Sequence, residues 1–320
     1  MMRLALATAL LTALAVTPAT RAQQADDEVP ADVQALVRDG QGAALEARLS
    51  GTRRPVDFEV LARAYTNQAR RERRSEDRDQ AFNKAAEFYG QWRAALERDA
   101  TLPAAKREVS LAAARAMYGT AIVGVWADAD LNEYELTGGR RGDRARLLDK
   151  LKLAREEFAG AAARLAALVR DLSAREDEYF ALGVYDQIRT LRLDITLTRS
   201  WVNYYIGMLE TDAAARTAAL QAAQAGFREL IDSAYVGRMI YRCYLGLGVA
   251  LRELRQFDEA VRALNNVPRY GAAPVAADDE DPADGVDISL QVQVRCELAR
   301  LLLAQNKFEE ARAELAPLAE

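Results

Sequence analysis

Residues 244–264 read YLGLGVALRELRQFDEAVRAL, and this stretch decides the fold class. Its apolar residues recur every three or four positions, which is the period of an amphipathic α-helix. Gly248 and Ala260 carry almost no side chain, so two antiparallel helices can approach each other closely at these positions. Bulky residues fill the space around that contact: Tyr244, Leu247, Leu251 and Leu264. The stretch therefore predicts a tightly packed helical hairpin.

The same arrangement recurs further along the chain. Residues 298–315 read LARLLLAQNKFEEARAEL, with Ala299 and Ala311 at the small positions. In both stretches the two small residues lie 12 positions apart, and Ala311 follows Ala260 by 51 positions. Arg295 stands where the first stretch has a tyrosine, which is a departure from the pattern.

Together the two stretches resemble tetratricopeptide repeats, whose usual period is about 34 residues. The spacing of 51 positions therefore exceeds the usual period by about 17 residues. Residues 271–287, an acidic segment that contains proline, have this length, and we interpret them as an insertion between the two repeats. The resemblance is specific over 241–316, weaker over 55–95 and only architectural between them. It implies an all-α fold, an α-solenoid of antiparallel helical hairpins, with longer hairpins in the middle.

Apolar periodicity and helix breakers predict helices along the whole chain and no strand. The expected helices lie near 31–38, 42–49, 55–75, 79–98, 104–136, 143–172, 176–210, 213–232, 235–254, 257–267, 288–305 and 308–316. Asp143 is expected to cap the helix that it precedes. The predicted organisation is a signal peptide (1–22), a flexible leader with short helices (23–54), a long helical-hairpin region (55–232) and two repeat-like units (233–320).

The start of the chain predicts export. Leu4–Val16 is an apolar run that follows a positive charge and is too short to span a bilayer comfortably. We expect cleavage after Ala22, which gives a periplasmic or secreted protein. The formal net charge of −5 would become −7, because cleavage takes away Arg3, Arg21 and no acid. A chain with this negative charge is expected to bind nucleic acid poorly. No segment after the leader is expected to be apolar enough to cross a membrane.

The composition argues against most kinds of catalysis. The chain has no histidine, which excludes Ser-His-Asp and Cys-His nucleophile systems and removes the commonest general base. Cys243 and Cys296 are too few for an all-cysteine zinc site. Their positions on neighbouring predicted helices point in nearly opposite directions, so we expect two free thiols. We therefore expect no enzyme activity, no cofactor and no metal.

Several acidic clusters have a plain interpretation. Residues 176–178 stand at a predicted helix start, where acids offset the helix dipole. Asp128, Asp130 and Asn132 follow the first spacings of a calcium loop, but the required later residues are absent. The acids of 279–287 are interpreted as a solvated loop.

The repeat resemblance implies a scaffold that binds a protein or peptide in a groove lined by the first helix of each hairpin. Counting 100° per residue predicts the groove-lining positions. These are Arg242, Leu245, Val249, Arg252, Glu253, Gln293, Cys296, Arg300 and Leu303. Three arginines against one glutamate make a local positive patch, which suits an extended segment carrying carboxylates.

Three further hypotheses stay open. The chain could be a carboxylate-dependent enzyme acting on envelope polymers, for which a buried acid with unusual pH dependence would be the sign. It could also be a structural helical spacer. Leu315 and Leu318 lie near the exposed end of the last unit, which predicts either self-association or a natural chain that continues beyond Glu320.

Overall fold

The computed structural model describes residues 29–51, 53–137, 143–233, 239–268 and 288–319. Within these ranges every regular element is helical and no strand occurs, so the all-α prediction is confirmed. The predicted signal peptide (1–22) and the predicted insertion (271–287) lie outside the described residues.

The described residues form fourteen α-helices. They are α1 (Ala31–Arg38), α2 (Gly42–Arg48), α3 (Pro55–Arg71), α4 (Ser75–Arg98), α5 (Ala104–Ala121), α6 (Asp128–Leu136), α7 (Arg144–Arg170), α8 (Glu176–Ala181), α9 (Tyr185–Leu209), α10 (Ala213–Ile231), α11 (Ile240–Glu253), α12 (Phe257–Leu264), α13 (Ile288–Ala304) and α14 (Phe308–Leu315). Asp143 caps α7 as predicted, since its carboxylate accepts a hydrogen bond of 2.9 Å from the backbone N–H of Arg146.

One predicted helix is wrong. Residues 176–210 were expected to form a single helix, but α8 ends at Ala181 and α9 begins at Tyr185. Gly183 lies between them with a φ of +67°. A residue in this left-handed conformation cannot continue a right-handed helix, and glycine adopts it without steric cost.

The chain divides into two compact units, with the boundary between residues 195 and 196. In the first unit α3 packs along α4, α4 contacts α5, and α5 packs along α7. Aromatic side chains fill these contacts: Phe82, Phe88, Trp92 and Phe158 are almost completely buried. Phe82 also stacks on Trp126, with the ring centres 4.9 Å apart.

The α5 helix lies in the core of the first unit. It continues into a π-helical turn at Ile122–Ala127. By length and composition alone Ala104–Ala127 could cross a membrane, with a mean hydropathy of 1.3. The expectation that no segment after the leader is apolar enough to do so is therefore wrong, whereas the expectation that none crosses a membrane stays a prediction. However, 72% of its most apolar window is buried inside the protein, and such burial is typical of a core helix.

In the second unit α10 packs on α11, α11 on α12 and α13 on α14, while α13 also contacts α11 and α12. Two glycines make these contacts close. A Cβ atom at Gly248 would lie 2.6 Å from the side chain of Leu264, so the close approach predicted at Gly248 is confirmed. A Cβ atom at Gly246 would lie 2.3 Å from the ring of Phe227 on α10.

Four pairs of helices are joined by the same tight turn, which we call the corner. Its central residue is Gly40, Gly183, Arg255 or Asn306, each with a φ between 60° and 67°. The N–H of the next residue donates to the carbonyl oxygen five positions earlier at 2.9 Å in all four corners. This is the hydrogen bond of a Schellman helix ending. The next helix begins two residues after the central residue each time.

Candidate binding surface

A pocket of about 550 Å³ lies where the corner between α11 and α12 meets the end of α13. We call it the arginine pocket. Its lining residues are Arg216, Arg252, Glu253, Arg255, Phe257, Arg300 and Ala304. The lining thus carries four guanidinium groups and one carboxylate, with Phe257 and Ala304 as apolar walls.

The local helix geometry explains how these residues meet. Arg252 and Glu253 form the last turn of α11, and Arg255 is the central residue of the corner. Arg300 and Ala304 are four residues apart on α13, so they lie on one face of that helix. Because α13 packs against α11, this face meets the corner.

Ion pairs hold the floor of the arginine pocket in place. Glu253 accepts hydrogen bonds from Arg216 at 2.8 Å and from Arg252 at 2.9 Å. Glu297, which is only 1% exposed, pairs with both Arg252 and Arg300. A buried carboxylate is stable only when it is paired in this way, so removing either arginine partner would be costly.

The arginine pocket carries surplus positive charge. Among the described residues, its network joins three arginines to two glutamates, Glu253 and Glu297, so one more positive than negative charge is present there. Arg255 adds a second, since it is exposed and makes no ion pair within the described part of the chain. Each guanidinium has five N–H donors, so donors remain to bind a carboxylate or phosphate at the mouth of the pocket.

The structure brings together three of the nine residues predicted to line the groove: Arg252, Glu253 and Arg300. Leu303 is 47% exposed and Arg242 is half-buried, and both lie outside the lining of the arginine pocket.

The other four predicted groove residues do not face an open groove. Leu245, Val249, Gln293 and Cys296 are buried. They are buried because other helices pack around the helix that carries Leu245 and Val249. Helix α11 is covered by α10, α12 and α13, so the face that a two-helix hairpin would leave open is packed here.

Two arginines of the pocket were missed by the sequence reasoning. Arg255 lies in the corner, beyond the helix whose angles were counted. Arg216 lies on α10, and its contribution depends on how α10 packs against α11. The signal for Arg255 was present, because Arg255-Gln256-Phe257 aligns with Asn306-Lys307-Phe308 in the second repeat.

The cysteines are free and buried, as the prediction of two free thiols requires. Burial raises the pKa of the Cys243 thiol to about 12 and also raises the pKa of Cys296. Neither thiol is therefore a nucleophile near neutral pH.

Two further charged clusters have structural partners. Lys150, almost completely buried, donates to Asp130 and to the carbonyl oxygen of Trp126, both at 2.7 Å. Asp130 lies on α6, not in a calcium loop. Glu157 is held between Arg93 and Arg115 at 2.8 and 3.1 Å. Among the residues that the structure describes, no group of three or more acids or cysteines could hold a metal ion.

One acid has unusual chemistry. The Oδ2 atom of Asp194, on α9, is buried and has no hydrogen-bond partner in the described part of the chain. Burial raises the pKa of this carboxyl from its ordinary value of 3.8 to about 7. A pKa near the working pH is what a general acid or base needs.

The chain was compared with protein-family models, curated proteins and solved structures. No protein-family model, no curated protein and no solved structure matches this chain.

Proposed function

We propose that this chain is a binding protein, built from hairpins of the tetratricopeptide-like kind, that takes up an acidic segment of another protein at the arginine pocket. One observation carries the proposal. On a chain with a net charge of −5, four arginines converge on one open pocket of about 550 Å³ that holds a surplus of positive charge.

The chemistry of the pocket favours a carboxylate-bearing segment as its ligand. Arg255 is exposed and forms no ion pair with any described residue, so it can meet a carboxylate first, while Arg216 lies beside it in the lining of the pocket. Guanidinium groups bind carboxylates through paired N–H bonds. The ring of Phe257 and the methyl group of Ala304 offer apolar contact beside these charges, and such mixed lining is typical of ligand sites.

The wider setting of the proposal rests on the sequence and on the corners. The repeated corners between consecutive helices support an α-solenoid, in which neighbouring hairpins create binding surfaces. The apolar run at Leu4–Val16 supports export to the periplasm or beyond. A scaffold in an envelope complex combines these features, and its task would be to hold a partner's acidic segment.

The test uses a fluorescent peptide rich in glutamate, with glycine and serine between the acids, and the same peptide with glutamine instead. Fluorescence anisotropy should detect binding of the glutamate peptide, weaker at high salt. Arg255→Glu removes one attraction and adds one repulsion. At about 1 kcal/mol for each such partly exposed contact, Kd should rise by about thirtyfold.

Arg262→Glu is the matched control, because Arg262 is exposed on α12 and outside the pocket. It makes the same change in net charge and should leave Kd within about twofold. Arg252 is unsuitable for reversal, since its loss would leave Glu297 buried without one of its partners. Equal Kd values for the two peptides, or equal weakening by both variants, would contradict the proposed pocket.

A second candidate function follows from Asp194. Its raised pKa is the sign expected of a carboxylate-dependent enzyme on envelope polymers. The measurement is turnover of peptidoglycan fragments by the wild-type chain and by Asp194→Asn across pH 5 to 8. Turnover that is lost in the variant would favour this candidate over the binding protein, and no turnover by the wild-type chain would dismiss it.

A further inference from the structure

Exposed apolar side chains are concentrated on one hairpin. Four large apolar residues stand out as exposed within the described ranges: Phe180, Ile288, Leu303 and Phe308. Three of them belong to α13 and α14, with exposures of 63%, 47% and 62%. Fifteen residues separate Ile288 from Leu303, which places them only about 60° apart around α13. The hairpin therefore presents an apolar face to solvent.

The repeat shows what this face corresponds to. From residue 291 onward, each position on α13–α14 has an equivalent 51 residues earlier on α11–α12. Three apolar positions that are buried in the earlier hairpin are more exposed in the later one. Leu251, Leu264 and Val267 are at most 2% exposed, whereas their equivalents Leu302, Leu315 and Leu318 are only half-buried.

The next helix along the chain packs against the earlier hairpin. Helix α13 contacts both α11 and α12, and Phe257 of α12 shares the arginine pocket with Ala304 of α13. Phe308 is the equivalent of Phe257 but is 62% exposed. The outer face, which we define as Ile288, Leu302, Leu303, Phe308, Leu315 and Leu318, is thus built like a surface on which another helical hairpin packs.

We propose that the outer face is a self-association surface, on which a second copy of this chain packs its own α13–α14 hairpin. A second copy supplies helices of the same kind as α13, the helix that packs against the earlier hairpin inside the chain. Symmetric pairing through one shared patch is also the commonest arrangement in protein dimers.

The charges beside the outer face suit a second copy. On α14 and its corner, Lys307 and Arg312 are positive and Glu309 and Glu310 are negative, and all four are exposed. A face with equal numbers of both charges meets a copy of itself without net repulsion, although the whole chain is acidic. An acidic or basic partner would find no such match there.

The size of the outer face indicates a weak dimer. Helices of 17 and 8 residues are about 25 and 12 Å long and each offers a strip about 10 Å wide. Two copies would therefore bury about 700–800 Å² in total, which is less than a standard stable interface. The dimer should form reversibly and only at high protein concentration.

Sedimentation velocity of the whole chain over a wide concentration range tests the proposal. The wild-type protein should move from monomer to dimer as its concentration rises. The double variant Leu303→Glu, Phe308→Glu places four carboxylates in the dimer contact and should stay monomeric, with unchanged helical circular dichroism. Phe180→Glu is the control, since it removes an equally exposed apolar residue from the first unit, and it should dimerise like the wild type.

Two results would overturn the inference. One is a wild-type protein that remains monomeric at every concentration, which would leave the face to a different protein or to further chain. The other is a dimer that persists in the double variant, which would place the contact elsewhere. The single variant Phe308→Ser changes one exposed side chain only. It should shift the dissociation constant in the same direction, and it keeps the test informative if the double variant folds poorly.

Discussion

Asp194→Asn should make the stability of this protein less dependent on pH. The carboxyl of Asp194 is mostly buried and its pKa in the folded protein is about 7, against an ordinary value of 3.8. Burial raises it, and no hydrogen bond within the described part of the chain stabilises the ionised Oδ2 atom. Each unit of pKa corresponds to about 1.36 kcal/mol, so the full shift would be about 4 kcal/mol.

The sign of the effect follows from proton binding. Between about pH 4 and pH 7 the folded chain keeps the proton of Asp194 while the unfolded chain has lost it. Folding is therefore penalised increasingly as the pH rises through this range, and the stability contributed by the neutral acid is lost above about pH 7. Asparagine has nearly the same shape and no charge, so the variant escapes this loss.

Urea denaturation of both proteins at pH 5 and pH 8 measures the effect. From pH 5 to pH 8 the free energy of unfolding of the variant should gain about 3 kcal/mol relative to the wild type. Effects of other titrating groups cancel in this difference. The buried amide of the variant is expected to change the free energy of unfolding by the same amount at both pH values, so this change does not affect the comparison. A difference that is the same at both pH values would refute the buried, unpaired carboxylate as the cause.

Three further outcomes can be checked by simple substitutions and titrations. Gly246→Ala should lower the free energy of unfolding by about 1–3 kcal/mol, because its Cβ atom would overlap the ring of Phe227. Gly90→Ala, within a helix and with open space around it, should instead raise that free energy by about 0.5–1 kcal/mol, and an equal loss from both substitutions would contradict the packing. Cys243 and Cys296 should react slowly with a thiol reagent in the native protein, and denaturation without reductant should release two thiols. One thiol or none would contradict the structure.

The helices were largely predictable because apolar periodicity and capping residues are local signals. At Gly183, however, the local signals did not predict that the helix ends. An isolated glycine inside a periodic pattern is often tolerated in a helix, so residues 176–210 were read as continuous. The clue lay in comparison: Gly183-Val184-Tyr185-Asp186 follows the same pattern as Arg255-Gln256-Phe257-Asp258. Both stretches turn out to be corners.

The candidate site was only partly predictable. Counting angles along one helix placed Arg252 and Arg300 on a common surface, and they do line one pocket. The same count placed Leu245 and Val249 in the open, and they are buried. The angular position of a residue gives the direction of its side chain around the helix. It does not tell how many other helices pack against that side, because this depends on the packing between hairpins. Glu297 was missed for the same reason, since nothing local distinguishes a buried glutamate from one in solvent.

The arginine pocket is assembled from two hairpins, so its integrity depends on their staying together. If α13–α14 detaches in a local opening, Arg300 leaves and the pocket no longer exists. An anion that binds only the closed form must then lower the population of the open form. At a ligand concentration of one hundred times Kd the opening becomes about a hundredfold rarer, and amide hydrogen exchange in α13 should slow by the same factor. Binding of a ligand in the arginine pocket would thus protect the amides of the α13–α14 hairpin from hydrogen exchange.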